Sequence, residues 1–227
     1  MSRLFLPLTL VAALLFATAP IVVARAPFEE TMGLVQKVFY YHVPSAMLMF
    51  VSALICGIAS ATYLFRRSAA ADRLAAAAGE LVALFGLIVM MTGPLWARKA
   101  WGAWWVWDAR LTSSLLLWMI FLAYLLVRRY GGPGSEKLAA GMAIFGMANV
   151  PFVYVSVNYW RTLHPKTSVV MTLGPGMRGA FWFCVAAFLT FYALLLTVRT
   201  RLEDQRARIE HLYLSLDEQE PAGLPRH

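Results

Sequence analysis

Residues 38–65 read VFYYHVPSAMLMFVSALICGIASATYLF, a run without a single Asp, Glu, Lys or Arg. It exceeds the roughly 20 apolar residues that carry an α-helix across about 30 Å of hydrocarbon. Charge-free runs of similar character extend from Leu4 to Ala24, Leu81 to Ala97, Leu111 to Val127, Leu138 to Trp160 and Gly179 to Val198. Lipid offers exposed backbone no hydrogen-bond partner, and the runs are continuous rather than alternating, so each is predicted to be a helix and not a barrel strand. The expected fold is all-α, a polytopic membrane protein of six transmembrane helices. Composition agrees: 60% of the 227 residues are hydrophobic, only 14% are charged, and mean hydropathy is +0.64. Those values exclude a soluble globular domain, intrinsic disorder and a disulfide-stapled scaffold.

Two units are expected, a membrane domain over 1–198 and a charged tail over 199–227. In the tail Leu202, Ile209, Leu212 and Leu216 recur near helical period, so the last helix is predicted to run on for a few turns. From Asp217 the acidic residues, Pro221 and Pro225 predict a disordered end. The first run also resembles a secretory signal, with Arg3 ahead of it and Ala17, Thr18 and Ala19 as a small-residue triplet, but its continuation through Val23 is long enough to span.

Lys and Arg number twelve on the side carrying both termini and eight on the other, which predicts cytoplasmic termini. Eight outer cations, offset by Glu29, Glu30 and Asp108, suggest an anionic ligand outside; snorkelling at helix ends accounts for others.

The chain carries no phosphate-cradling loop, metalloprotease motif or nucleophile elbow, so it is not expected to hydrolyse ATP or peptides. Cys56 and Cys184 have neither redox nor heme-attachment spacing and read as buried apolar residues. The chemistry concentrates between the third and fourth spans, in Trp101-Gly102-Ala103-Trp104-Trp105-Val106-Trp107-Asp108-Ala109-Arg110. Trp96 and this segment hold five of the eight Trp. An interfacial belt would spread them over many helix ends, whereas one loop this rich suits a platform for a large planar ligand. Were the loop helical, Trp101, Trp104, Trp105 and Asp108 would share a face, and Gly102 would permit close approach. Asp108 suits capping of the fourth helix or pairing with Arg110 better than a direct chemical role. His42 and His164 fall at the outer ends of the second and fifth spans, on the tryptophan side. Neutral imidazole ligates heme iron, Trp faces suit the macrocycle, and Arg or Lys suits propionates. Zinc or copper is a weaker match to two His and one Asp.

The run from Trp101 to Thr112 resembles the tryptophan-rich WWD signature of heme-handling proteins of cytochrome c maturation. With six spans and the placement of His42 and His164, the chain from the first span to Val198 resembles the heme exporter protein C (CcmC) family. The resemblance implies that His42 and His164 are the axial ligands of one heme b at the periplasmic face of a bacterial inner membrane. It implies a platform formed by Trp101, Gly102, Trp104, Trp105, Trp107 and Asp108, with Arg110, Arg161, Lys166 and Arg178 as candidates for the propionates. It further implies work with the transporter subunits CcmA and CcmB and with CcmD, and transfer of heme to the chaperone CcmE. No ATPase of its own is expected, and a role in promoting covalent attachment to the chaperone stays open. Ala103 and Pro165 depart from the family pattern, where Thr and Gln are expected, without removing a proposed ligand.

Two readings of another class compete. A permease for an anionic substrate requires polar groups at mid-membrane, yet only Glu80 is ionisable in the spans, near one end. A quinone-oxidising cytochrome b subunit requires ligands embedded in facing helices rather than at outer ends. A pure assembly scaffold would carry no heme when purified alone.

Overall fold

The computed structural model describes residues 5–219. It contains six long helices: α1 (Phe5–Arg25), α2 (Phe39–Arg66), α3 (Ala69–Trp101), α4 (Ala109–Tyr130), α5 (Ser135–Tyr159) and α6 (Pro175–Gln219). Each is long and apolar enough to cross a bilayer, which makes the chain a multi-pass membrane protein. The expected all-α fold and its six spans are observed.

The helices outrun the apolar runs that announce them. α3 starts at Ala69 rather than near Leu81, because Ser68 caps it by accepting from the Ala71 N–H (3.3 Å) and an alanine-rich turn costs little to keep helical. At its other end α3 continues through Lys99 to Trp101 and stops at Gly102, which adopts the left-handed conformation (φ 74°). α6 continues without a break past Val198, and Asp217 to Gln219, where disorder was expected to begin, are still helical. The rest of that expected disordered end, residues 220–227, lies outside the described residues.

Connections are short on one face and long on the other. α2 and α3 are joined through Arg67 (φ 53°) and Ser68, α4 and α5 through 131–134, whereas 26–38 and 160–174 form longer loops on the tryptophan side. Helices pack through missing side chains. A Cβ on Gly79 would meet the Tyr124 ring at 2.4 Å, and one on Gly86 would meet Trp118 at 2.3 Å. These contacts set α3 closely against α4, and the Trp118 indole donates to the Ala83 carbonyl (3.0 Å). The core joins Leu48, Met49, Phe85, Phe121 and Tyr124; a second cluster around Phe39, Tyr40, Phe181 and Cys184 seats α1 and α6 beside α2. Cys56 and Cys184 are free and buried, as expected. Leu10, Leu14, Ile58, Met119, Phe145 and Leu189 face outward, where lipid would cover them.

Ion pairs tie the face opposite the tryptophans. Arg128 grips Asp72 with both nitrogens (2.6 and 2.8 Å), Arg73 holds Asp204 (2.5 Å), and Glu80 pairs with Arg199. Glu80 is therefore an anchor between α3 and α6 rather than a mid-membrane substrate group.

Candidate functional site

His42 lies in the first turns of α2, where the apolar run meets the outer loop. Across from it, α3 carries Thr92, Gly93 and Pro94. The Thr92 hydroxyl donates to the Ile88 carbonyl (2.6 Å), so its oxygen is left to accept, and His42 Nδ1 sits 2.9 Å from it. Nδ1 must then carry the proton, and Nε2 keeps its lone pair. Gly93 packs against the ring: a Cβ there would stand 3.4 Å from His42 Cε1, an ordinary van der Waals contact. His164 follows α5, in the loop before α6, and its Nδ1 lies 2.8 Å from the Pro165 carbonyl. A carbonyl only accepts, so this imidazole is also protonated on Nδ1 with Nε2 free. Burial, followed by the Arg110 guanidinium, pushes the His164 pKa down to about 4, so the ring is neutral near pH 7.

Both imidazoles line one cavity, partly open to solvent. Phe39, Met49, Phe50, Val89 and Met90 supply apolar surface, and Trp96, Trp101, Trp104 and Trp105 wall the outer side. The tryptophans are set edge to face, Trp96 on Trp101 at 5.5 Å and Trp105 on Trp107 at 5.7 Å between ring centroids. The segment between α3 and α4 is not helical, so the face that a helical loop would have given Trp101, Trp104, Trp105 and Asp108 in common does not form. Left-handed Gly102 ends the helix and redirects the chain, and it offers no contact to the cavity. Trp107 is exposed and also stands outside the wall.

Asp108 is the N-cap of α4, with Oδ1 accepting from the Leu111 N–H (2.8 Å). Its Oδ2 accepts from the Thr162 hydroxyl, whose oxygen in turn accepts from the His164 N–H (3.0 Å). The aspartate thus ties the tryptophan segment to the histidine loop and positions His164 without lining the cavity. Arg110 does line it. Its guanidinium donates to the Val153 carbonyl (2.5 Å) and lies 5.7 Å from the centroid of the Phe50 ring, and among the described residues it has no carboxylate in ion-pair range. Asp108 acts on it electrostatically without contact, and a half-buried cation with no carboxylate in ion-pair range beside a cavity favours an anionic occupant. The Trp105 indole N–H is likewise buried and unpaired. Arg161, Lys166 and Arg178 are exposed and outside the cavity wall; Arg178 donates to the Met171 and Leu173 carbonyls.

The arrangement offers two nitrogens with free lone pairs, an aromatic wall, apolar depth and one cation with no carboxylate in ion-pair range. Among the described residues no cluster of three or more His, Cys, Asp or Glu assembles into a metal site. Two imidazoles therefore suit a metal whose other ligands arrive with it, as in a metalloporphyrin with carboxylate substituents. Sequence reasoning passed over Thr92, Gly93, Gln36 and Thr162. Gly93-Pro94 inside an apolar span was a legible signal of a special backbone site. The Trp96 donation to buried Gln36 (3.3 Å), and the Thr162 relay, were legible only in three dimensions.

Comparison with known proteins follows the same line. Residues 1–214 match the family model for heme exporter protein C. The heme exporter protein C of Bradyrhizobium diazoefficiens is 35% identical over 198 residues, covering 84% of this chain and 75% of that one. The Escherichia coli K12 protein of the same name is 30% identical over 201 residues, covering 83% and 80%. A putative cytochrome c biosynthesis ccmC-like mitochondrial protein of Marchantia polymorpha is 33% identical over 144 residues, 63% of this chain and 61% of its own. The family match runs beyond Val198 and takes in most of the extension of α6.

Proposed function

The chain belongs to the heme exporter protein C family, and from that premise we propose that it binds heme b at the periplasmic face of a bacterial inner membrane. It presents the heme to the chaperone CcmE during cytochrome c maturation, alongside CcmA, CcmB and CcmD, with both termini in the cytoplasm. Heme is cargo here, held and handed on. The observation that carries the reading is a single cavity lined by two imidazoles, each with Nδ1–H hydrogen-bonded and Nε2 unprotonated. Neutral imidazole with the distal nitrogen tied to an acceptor is the form that ligates iron, and the tie raises its basicity.

In this reading His42 and His164 hold the iron axially, and Trp101, Trp104 and Trp105 cover the apolar ring. Arg110 neutralises one propionate, with the free Trp105 N–H as a neighbouring donor. Arg161, Lys166 and Arg178 act at the surface instead, exposed like Trp104 and Trp107 on the side where a chaperone would approach. Release requires one axial bond to weaken, and the His164 loop is the natural place, because it hangs on the Asp108 and Thr162 relay rather than on a helix.

The test is an absorption spectrum, oxidised and dithionite-reduced, of the detergent-purified chain beside His42→Ala and His164→Ala. The expected result is low-spin six-coordinate heme in the parent and five-coordinate or absent heme in each variant. Unchanged six-coordinate spectra in both would overturn the ligand assignment. A parent that neither retains nor takes up heme would overturn the heme-binding role.

A further inference from the structure

The loop that leads into α2, residues 26–38, folds largely on its own contacts. The Glu29 carboxylate accepts from the Thr31 N–H (3.0 Å), and the Glu29 carbonyl accepts from the Gly33 N–H (2.9 Å). Gly33 takes a positive φ of 57°, which glycine adopts without strain, and its carbonyl accepts from the Gln36 N–H (3.3 Å). Lys37 closes the loop onto the end of α1 by donating to the Ala24 carbonyl (2.7 Å). Gln36, in the 3-10 turn Leu34–Val38, is thereby fixed and turned inward, only 9% exposed.

Gln36 Oε1 accepts from the Trp96 indole N–H (3.3 Å), the one side-chain hydrogen bond from this loop to α3 among the described residues. Trp96 lines the cavity; Gln36 does not. On α3, Thr92 and Trp96 lie about one turn apart on the same face. The pairing of His42 with Thr92 (2.9 Å) and that of Gln36 with Trp96 are therefore successive rungs between the chain entering α2 and one stripe of α3. One rung orients an imidazole, the other orients the wall. Trp96 in turn stands edge-on to Trp101 (5.5 Å between centroids, 88° between planes), the last residue of α3.

Packing alone would not fix that wall. A tryptophan ring against apolar surface can turn about its Cβ–Cγ bond between two broad positions, and dispersion discriminates weakly between them. A hydrogen bond at the indole nitrogen selects one position, because the other leaves the N–H without its acceptor. Trp105 makes the contrast: its buried N–H has no protein partner and stays available to an occupant. We propose that Gln36 is a positioning residue of the cavity, which holds Trp96 in one ring orientation and, through the edge contact, Trp101, so that the aromatic wall is set before the ligand enters. The proposal rests on the reading of the cavity as a heme site and adds to it a residue outside the cavity lining. A wall ordered in advance strengthens binding, since the ligand no longer has to order it.

The test combines two readouts on the full chain in detergent. Gln36→Leu loses the acceptor, Gln36→Glu keeps one, and Trp96→Phe keeps an aromatic ring without the N–H. In the heme-free protein, isotope-labelled at its tryptophan nitrogens, the indole resonance missing from Trp96→Phe belongs to Trp96. It should move upfield in Gln36→Leu and return toward the parental position in Gln36→Glu, and the Trp101 resonance, assigned with Trp101→Phe, should move with it. Hemin titration followed in the Soret band should show affinity falling roughly three- to tenfold in Gln36→Leu, the usual worth of one hydrogen bond, with Gln36→Glu within about twofold of the parent. Rescue by glutamate is what general loosening of the loop would not give. Trp96→Phe should lose at least as much as Gln36→Leu, and the double variant no more than Trp96→Phe alone. An unmoved Trp96 resonance in Gln36→Leu, undiminished hemin affinity in that variant, or additive losses in the double variant would each overturn the proposal. A parent that takes up no hemin overturns the heme reading instead, and the indole resonances then still decide whether Gln36 sets the wall.

Discussion

Replacing Thr92 with Val removes the acceptor of the His42 Nδ1–H while conserving shape. In the parent, the Thr92 hydroxyl spends its proton on Ile88 and presents only lone pairs to His42, which holds the ring in the tautomer with Nε2 free. Valine leaves Nδ1–H unpaired in a half-buried site, at a cost of about 1–3 kcal/mol, or lets the proton move to Nε2 and block the ligating nitrogen. Either route weakens heme binding by roughly 10–100-fold, the usual range when a ligand's outer hydrogen bond is lost. The assay is titration of the purified apo-protein with hemin, followed in the Soret band, with Thr92→Ser beside it. Serine restores the acceptor and should return the affinity to within about threefold of the parent, a rescue that general loosening of the α2 and α3 contact would not show. Binding by Thr92→Val within twofold of the parent would refute the argument that this hydroxyl sets the tautomer.

Arg110→Gln should lower affinity for heme by roughly tenfold or more yet leave heme dimethyl ester nearly unaffected, because only the free propionate offers a charge to the guanidinium; equal losses for both, read by the same titration, would assign Arg110 to packing alone. Thr162→Val cuts the link between Asp108 and the His164 N–H, and is expected to raise the heme off-rate several-fold while the melting temperature changes by only a few degrees, measured by transfer to apomyoglobin and by thermal denaturation. The His164 pKa is lowered to about 4, first by burial and then by Arg110, against about 6.5 when unfolded. The folded chain therefore takes up this proton only near pH 4, whereas the unfolded chain takes it up near 6.5, so this group's contribution lowers stability progressively as pH falls from about 6.5 to 4. The part of heme affinity lost in His164→Gln should be nearly flat between pH 7 and 5, reach half near pH 4 and fall away below it; a midpoint near 6.5 would mean an exposed His164.

Much of this molecule is legible in one dimension because lipid imposes a single strong rule. Backbone in hydrocarbon must be helical, so charge-free runs such as 38–65 determine the spans before any packing is known. The ends are less legible, since a helix persists wherever a cap and good helix formers allow. Ser68 and the alanines after it start α3 well before Leu81, and α6 runs past Val198 on residues that are charged but helix-forming. Asp108 is a case where local chemistry narrowed the choice to capping or pairing with Arg110, and the structure makes it the N-cap of α4.

His42, His164, the tryptophans and Arg110 stand out by residue type alone, but a residue type carries no information on what it faces. His42 and His164 are more than a hundred residues apart, and their common cavity exists only because α2 packs on α3 and the loop after α5 folds back over both. The same packing separates Arg110, which reaches the cavity, from Arg161, Lys166 and Arg178, which do not, though all four are cations at the tryptophan end of the bundle. Composition and periodicity determined that the chain spans a membrane six times and where its unusual residues lie, because the solvent acts on each segment separately. Tertiary structure decided the tautomers of His42 and His164, the relay through Thr162 and the choice of Arg110, because hydrogen bonds and desolvation depend on neighbours that sequence distance does not record.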